Sequence, residues 1–357
     1  MKAAVFSLGS KSSQMTIEAM QSHFEQVDHI SLKDLEVGLG EQGKRRVLYQ
    51  GKPLPTYDCV YAKGSYRYAT FLRSITETLK ATTYMPLSPD SFVVAHDKIL
   101  THLALQNHNV PMPTTYLISS AKAGKKLLTE VNYPIVMKFP HGTQGIGVMV
   151  ADSFGSASSM LDALIALRQP FLIQEFIDTG GVDVRAFVIG NEVVASVERT
   201  AAIGEVRANI HMGGTGKPYA LGTHTRRVAI DAAKAIGADI CAVDILEGVK
   251  GPLVIEVNVS PGLQGITQTT NINVAEKIAA FLERKTQDFK DKGKDRLTSE
   301  MVDELGLTEH GTQIIAHPNF RADRILLPKL VTDITGFVEA DELVMKIEKG
   351  KVTIERL

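Results

Sequence analysis

The sequence predicts a multidomain chain that is α/β at its start, α+β through its middle and β-rich at its end. Three observations carry that expectation. Residues 1–90 alternate strand-like and helix-like runs, with glycines at the strand ends. From His96 the texture changes to hairpin-like strand pairs separated by helical runs. A charged stretch at 283–304 then sets apart a short, strand-rich segment at 321–357. With 357 residues, 44% of them hydrophobic, the chain can bury a large core and hold two or more domains. The expected divisions are 1–95, 96–172, 173–288, a linker at 289–320, and 321–357.

Taken in order, Lys2–Leu8 reads as an apolar strand ending at Gly9, and Met15–Phe24 as a helix. A short basic hairpin region follows around Arg45–Leu54, then a buried strand at Tyr57–Ala62 and helical spacing at Tyr68–Leu79. Asp97–Gln106 is helical and is broken by Asn109–Pro113. Tyr133–Phe139 is a strand running into a glycine-rich loop, Ala157–Arg168 a helix, and Phe171–Ile177 a strand. Asp183–Ile189 and Glu192–Arg199 flank the Gly190–Asn191 turn. Thr225–Ile236 has an amphipathic helical pattern, Cys241–Leu246 and Leu253–Val259 are paired strands, and Ile272–Arg284 is a closing helix. The stretch 283–304 reads as a linker or a solvated helix.

Several function classes are disfavoured at once. A net charge of −1 provides no global field to recruit nucleic acid or an acidic membrane. No run approaches the roughly 20 apolar residues of a membrane span, and MKAAVFSLGS is too short an apolar run for a signal peptide. Cys59 and Cys241 lie inside apolar runs and read as core residues of a reducing compartment. The expectation is a soluble, cytoplasmic protein.

Chemistry concentrates in four places. In VIEVNVSPG, Glu256 and Asn258 are two apart on a strand and share a face, while Val257 points away. Asp244 is the one charge in the strand CAVDIL, expected to pair with it. Three hard oxygen donors of this kind suit Mg²⁺; the alternative is a strand carboxylate salt-bridged to a nearby lysine or arginine. Second, Lys138 ends the strand PIVMKF and is followed by Gly142, Gly145 and Gly147, a loop whose N–H groups can approach phosphates. A plain hairpin turn is the other reading. Lys98, opening a helix after Asp97, is equally a surface charge or a phosphate ligand. Third, QEFI at 174–177 is a strand edge able to read adenine by backbone hydrogen bonds, with Asp183 and Arg185 just beyond. Fourth, Arg199, Arg207 and Asn209 lead into His211 and a glycine pair. A guanidinium there suits a carboxylate or a phosphoryl group, and a solvated loop is the alternative.

Together the runs DK at 97–98, VPMPTT, PIVMKFPHGTQGIGV, QEFI, DVRAFVIG, EVRANIHMGG, AVDI and EVNVSPGLQGI resemble, in order, the RimK-like branch of the ATP-grasp superfamily, over about 190 residues at 97–288. That resemblance implies a two-subdomain core clamping ATP, and amide-bond formation between a carboxyl group and an amine, often that of glutamate. It implies that Lys98 and Lys138 meet phosphates, Glu175 and Phe176 meet adenine, and Asp183 takes the ribose. Arg207 and Asn209 would line the phosphate and acyl-phosphate site with Arg199 as helper, and Asp244, Glu256 and Asn258 would hold Mg²⁺, for which Mn²⁺ can substitute. Residues 1–90 are placed like the family's acceptor-holding domain, with Gly64, Tyr66 and Arg67 as candidate substrate contacts. The expected acceptor is a protein C-terminus, a carrier protein, or a pterin- or deazaflavin-type cofactor with a glutamate tail.

The tail, RILLPKLVTDITGFVEADELVMKIEKGKVTIERL, resembles the AbrB/SpoVT swapped-hairpin module, departing from it at Ala340. Such modules are intertwined dimers, and many bind DNA. Residues 321–357 carry seven basic and seven acidic side chains, a balance that disfavours phosphate-backbone binding and favours a homodimer. The alternative function is a DNA-binding regulator whose ligase fold senses ATP; an intact metal set argues against it.

Overall fold

A computed structural model describes the chain except for residues 41–45, 119, 141–146, 169, 202–214, 305–318, 322–323, 339–340 and 350. Two compact units divide it, Met1–Thr286 and Gln287–Leu357.

The first unit opens with a parallel sheet ordered Gln26–Ser31, Lys2–Ser7, Cys59–Ala62. Parallel strands require crossover connections, and the helix Lys11–Met20 supplies the first. It begins four residues before the helix expected at Met15. Gly9 turns the chain at φ +77°, and the Ser10 side chain then accepts the Ser13 N–H as an N-cap. Ala3, Ala4, Val5, Phe6, Cys59, Val60 and Tyr61 are fully buried, the continuous apolar run typical of a sheet covered on both faces. In such sheets the crevice for ligands lies beyond the carboxyl ends of the strands. A small antiparallel sheet, Leu35–Gly38, Arg46–Tyr49 and Lys52–Pro53, includes the expected basic hairpin.

A four-stranded antiparallel sheet follows, ordered Thr115–Leu117, Leu172–Glu175, Ile135–Lys138, Val148–Ala151. The helices Ala121–Leu128 and Phe154–Ala166 close its core through Leu128, Leu161 and Leu164 against Ile135, Met137 and Ile173. Leu172–Glu175 hydrogen-bonds within this sheet, so the first half of the ligase-like core extends through Glu175.

The second half is a five-stranded antiparallel sheet ordered Thr215–Pro218, Glu192–Thr200, Val182–Ile189, Ile240–Gly248, Gly251–Asn258, with the helix Thr223–Ala235 packed on it. The expected pairing of the Asp244 and Glu256 strands is present. Asp244 lies opposite Glu256 and Ala242 opposite Asn258, and the register slips between Asp244 and Ile245. Such a bulge re-aims neighbouring side chains. The closing helix is much longer than expected, Val274–Glu304, and takes in the charged stretch read from sequence as a linker or solvated helix.

In the second unit, Asn319–Arg321 pairs with Arg324–Leu326, the helix Lys329–Thr335 follows, and Leu343–Glu348 forms a hairpin with Lys351–Arg356. Among the described residues, no helix is long and apolar enough to cross a membrane.

Candidate active site

Lys138 ends its strand with a side chain only 6% exposed. Its Nζ donates to Gln174 Oε1 at 2.8 Å, and Gln174 Nε2 donates to Thr115 Oγ1 at 2.6 Å, so three adjacent strands fix the ammonium. Burial, and then the charge of Lys98, bring Lys138 down to about 8, against the opposing influence of Glu256. The helix Lys98–Asn107 places Lys98 beside it. Asp97 Oδ1 accepts from the N–H groups of Ile99 (2.7 Å) and Leu100 (3.1 Å), and the Lys98 N–H donates to Pro140 O at 3.1 Å. The strand exit and the helix start are thus fastened together, which brings the Lys98 charge close to Lys138, itself within electrostatic reach of Glu256. Repulsion between the two lysines is relieved when a polyphosphate binds.

Gly147 closes the loop after Lys138 at φ +81°, with the Phe139 ring against the place a Cβ would occupy, so no other residue fits there. Gly142 and Gly145 lie outside the described residues, as do Arg207, Asn209 and His211.

The carboxylates are organised by arginines. Asp244, 5% exposed, accepts from Arg185 Nε and Nη2 at 2.7 Å each and from Arg199 Nη2 at 2.9 Å. Arg199, 4% exposed, also clasps Asp183 through two bonds of 2.6 Å. Cross-strand register brings these residues together: Asp183 faces Arg199 and Arg185 faces Asp244. Burial alone would raise Asp244, but Arg185 and Arg199 overcome it and hold the carboxyl at about 2. Asp183 is pushed up by burial, to about 6, with the Arg199 fork opposing.

The salt-bridged alternative for Asp244 is therefore realised, and it does not displace the metal reading. The carboxylate remains ionised and oriented, with Glu256 directly across from it and Asn258 two residues on. Asn258 Oδ1 accepts from the Ser260 N–H at 2.9 Å, which fixes its amide. Two carboxylates and an amide oxygen fit Mg²⁺, which completes its shell with waters and substrate phosphates rather than in a dedicated cage. Among the described residues, no three acidic, imidazole or thiol groups converge as such a cage.

Other expected residues stand differently. Arg199 meets two aspartates, bonding Asp183 twice and Asp244 once. The Asp183 carboxylate is likewise engaged by Arg199. The Glu175 N–H already donates to Thr114 O (2.9 Å), and its side chain accepts from the Thr114 N–H and pairs with Lys250 (2.9 Å). The Glu175 N–H and side chain are thus already engaged by Thr114 and Lys250. Gly64 N–H donates to Ser260 Oγ at 3.0 Å, whereas Tyr66 is exposed and Arg67 stacks over its ring. A cavity of about 270 Å³ lined by Thr179, Val184, Glu198 and Glu247 reaches the site at Asp183, whereas one of about 390 Å³ lined by Pro86, Ser88, Lys234 and Asp239 contains none of the site residues.

Two residues, Lys63 and His102, escaped the sequence reading, and Arg185 was named there without its role. Arg185 is two positions from Asp183 on the same strand face, which could have marked it as Asp244's partner. Lys63 ends the apolar strand CVYA in the way Lys138 ends IVMK. His102 is 5% exposed, lies near both Lys98 and Lys138, and has neither ring nitrogen bonded among the described residues. Burial, then those two lysines, hold it at about 3 and hence neutral.

Comparison with known proteins identifies the family. The model of the RimK-like ATP-grasp domain matches residues 95–282. The chain is 35% identical over 289 residues to a probable alpha-L-glutamate ligase of Thioalkalivibrio sulfidiphilus, covering 80% of this chain and 96% of that one. It is 36% identical over 239 residues to the ribosomal protein bS6–L-glutamate ligase of Salmonella schwarzengrund (66% and 80% covered). The fold matches the RimK domain ATP-grasp protein of Sphaerobacter thermophilus with a TM-score of 0.61 at 18% identity, covering 79% of this chain and 99% of that one. It also matches the D-alanine–D-alanine ligase of Bacillus anthracis with a TM-score of 0.57 at 15% identity (82% and 99% covered). The chain belongs to the RimK-like ATP-grasp family and is a ligase of ATP-dependent amide-bond formation.

Proposed function

We propose that the protein joins a carboxylate of an acceptor to the amine of glutamate or a similar amino acid, through an acyl phosphate. The carrying observation is the pair Lys98 and Lys138, the latter buried and fixed by Gln174, set against a strand that presents Glu256 and Asn258. The acceptor carboxylate oxygen attacks the γ-phosphorus and ADP leaves; the amine then attacks the acyl carbon and phosphate leaves. Lys138, fixed by Gln174, and Lys98 hold phosphate oxygens in line and stabilise charge as it develops. Magnesium at Asp244, Glu256 and Asn258 would supply further charge neutralisation on the phosphates. Arg185 and Arg199 keep Asp244 ionised and aimed. The acyl-phosphate pocket is assigned to Arg207 and Asn209 by the family resemblance.

A relative's name couples L-glutamate to a ribosomal protein, which favours a protein as acceptor. The test is amino-acid-stimulated ADP release across the twenty amino acids, with mass spectrometry of candidate acceptor proteins. Glutamate giving no stimulation, and no acceptor gaining mass, would overturn the reading.

The second unit supports a homodimer. Every residue of Leu343–Glu348 is exposed, Met345 at 62% and Ile347 at 75% among them, and an isolated two-stranded hairpin is marginal in water. A second copy of the unit would cover these side chains. We retain the swapped-hairpin resemblance as the basis for this dimer.

A further inference from the structure

The most unusual buried charge outside the phosphate site is Lys63. It follows the strand Cys59–Ala62 at the carboxyl end of the first parallel sheet, the edge at which such sheets take ligands. Its side chain is 4% exposed, and among the described residues no carboxylate pairs with it. Its bonded partner is Pro261 O at 3.4 Å, a long contact, and the Tyr61 ring lies 5.5 Å away. Burial brings its ammonium down to about 8. A buried ammonium with one weak acceptor is costly, and a fold carries that cost when a ligand supplies the missing charge.

The surroundings say where that ligand sits. Gly64 N–H donates to Ser260 Oγ, Ser12 Oγ accepts from the Leu263 N–H at 2.9 Å, and Ser12 Oγ donates to Gln264 Oε1 at 2.5 Å. The carboxyl edge of the first sheet is thereby docked on the loop that directly follows Asn258. Lys63 stands at that seam, between the domain placed to hold substrate and the strand that presents the phosphate-side ligands. Lysine ammonium is a compact point charge suited to a single carboxylate.

We propose that Lys63 Nζ is the cationic seat for a substrate carboxylate entering at this seam, taking the place of the long bond to Pro261. The proposal rests on the ligase reading and adds the residue that recognises one of its carboxylates, either that of the incoming amino acid or that of the acceptor terminus. Both sources share one chemistry, and the probes below separate them.

The full-length protein, with a non-hydrolysable ATP analogue, is titrated by calorimetry with L-glutamate and with a glutamate-terminated peptide, each beside its carboxamide counterparts. One carboxylate is expected to bind about ten- to hundredfold more tightly than its amide, the range of one charge-assisted bond. Lys63→Met should abolish that preference and Lys63→Arg should keep most of it. The ligand that shows the preference identifies whose carboxylate is held. Removing a buried, underpaired charge should also leave the melting temperature of Lys63→Met unchanged or higher. Wild type with no preference for either probe, a preference that survives Lys63→Met, or a clear drop in its stability would each overturn the assignment. Should Lys63→Met not fold, the assignment falls, since a docking role would then explain the residue. Preference without any amide formation in wild type would instead sink the ligase reading and leave the carboxylate seat standing.

Discussion

Replacing Asp244 and Glu256 separately distinguishes holding the sheet together from holding the metal. Asp244 accepts three guanidinium bonds of 2.7–2.9 Å while 5% exposed. Asp244→Ala leaves Arg185 and Arg199 facing each other without their shared counter-charge. Breaking a buried pair from one side costs about 3–5 kcal/mol. At about 2–4 °C per kcal/mol for a domain of this size, the melting temperature should fall by roughly 6–20 °C. Glu256, by contrast, has no ion-pair partner among the described residues, so Glu256→Gln should leave the melting temperature within about 2 °C, as surface-like changes do. Its loss of ADP release should nonetheless be about 10²–10³-fold, the scale of one preorganised electrostatic contact. Scanning calorimetry and a coupled ADP assay on both variants read the two quantities independently. An Asp244→Ala protein as stable as wild type would refute the ion-pair account, and full turnover in Glu256→Gln would refute the metal assignment.

Lys138→Met should lower kcat/KM for ATP by about 10²–10³; a loss confined to the amino-acid KM would place Lys138 elsewhere. His23 donates from both ring nitrogens, to Glu276 and Glu283 at 2.7 Å each, and those bonds, Glu276 first, raise its pKa above 6.5. Its stabilising contribution is full below about pH 6.5 and is lost as pH rises through the higher folded value. His23→Gln should therefore flatten the change in melting temperature between pH 6 and 8, a range set by histidine titration, and an unaltered slope would contradict the clamp. Ile347→Lys should convert a dimer to a monomer in light scattering, and a wild-type monomer would remove the dimer proposal.

Much of this site was legible because it is built on regular strands. The two-residue spacing of Glu256 and Asn258 fixes their common face, and the lone charge in CAVDIL finds its partner strand through the apolar pattern on either side. Helix starts were less legible. Lys11–Met20 is set by the turn at Gly9 and the Ser10 cap, while its apolar spacing suggested a later start. The Arg185–Asp244–Arg199–Asp183 cluster was hidden for a different reason. Each residue could be read singly as a ligand, and the cross-strand register that brings them into contact is a non-local property. Lys63 was missed for the same cause, since its burial depends on a loop about 200 residues later.

The pairing of two aspartates with two arginines also bears on the order in which components assemble. Those four side chains carry no net charge, so Asp244 exerts little long-range attraction on a free divalent cation. An ion already chelated by nucleotide phosphates arrives with ligands of its own and needs only the oriented oxygens to complete its shell. The resting enzyme should thus tolerate chelators without losing its fold, and cation affinity should rise steeply once nucleotide is present.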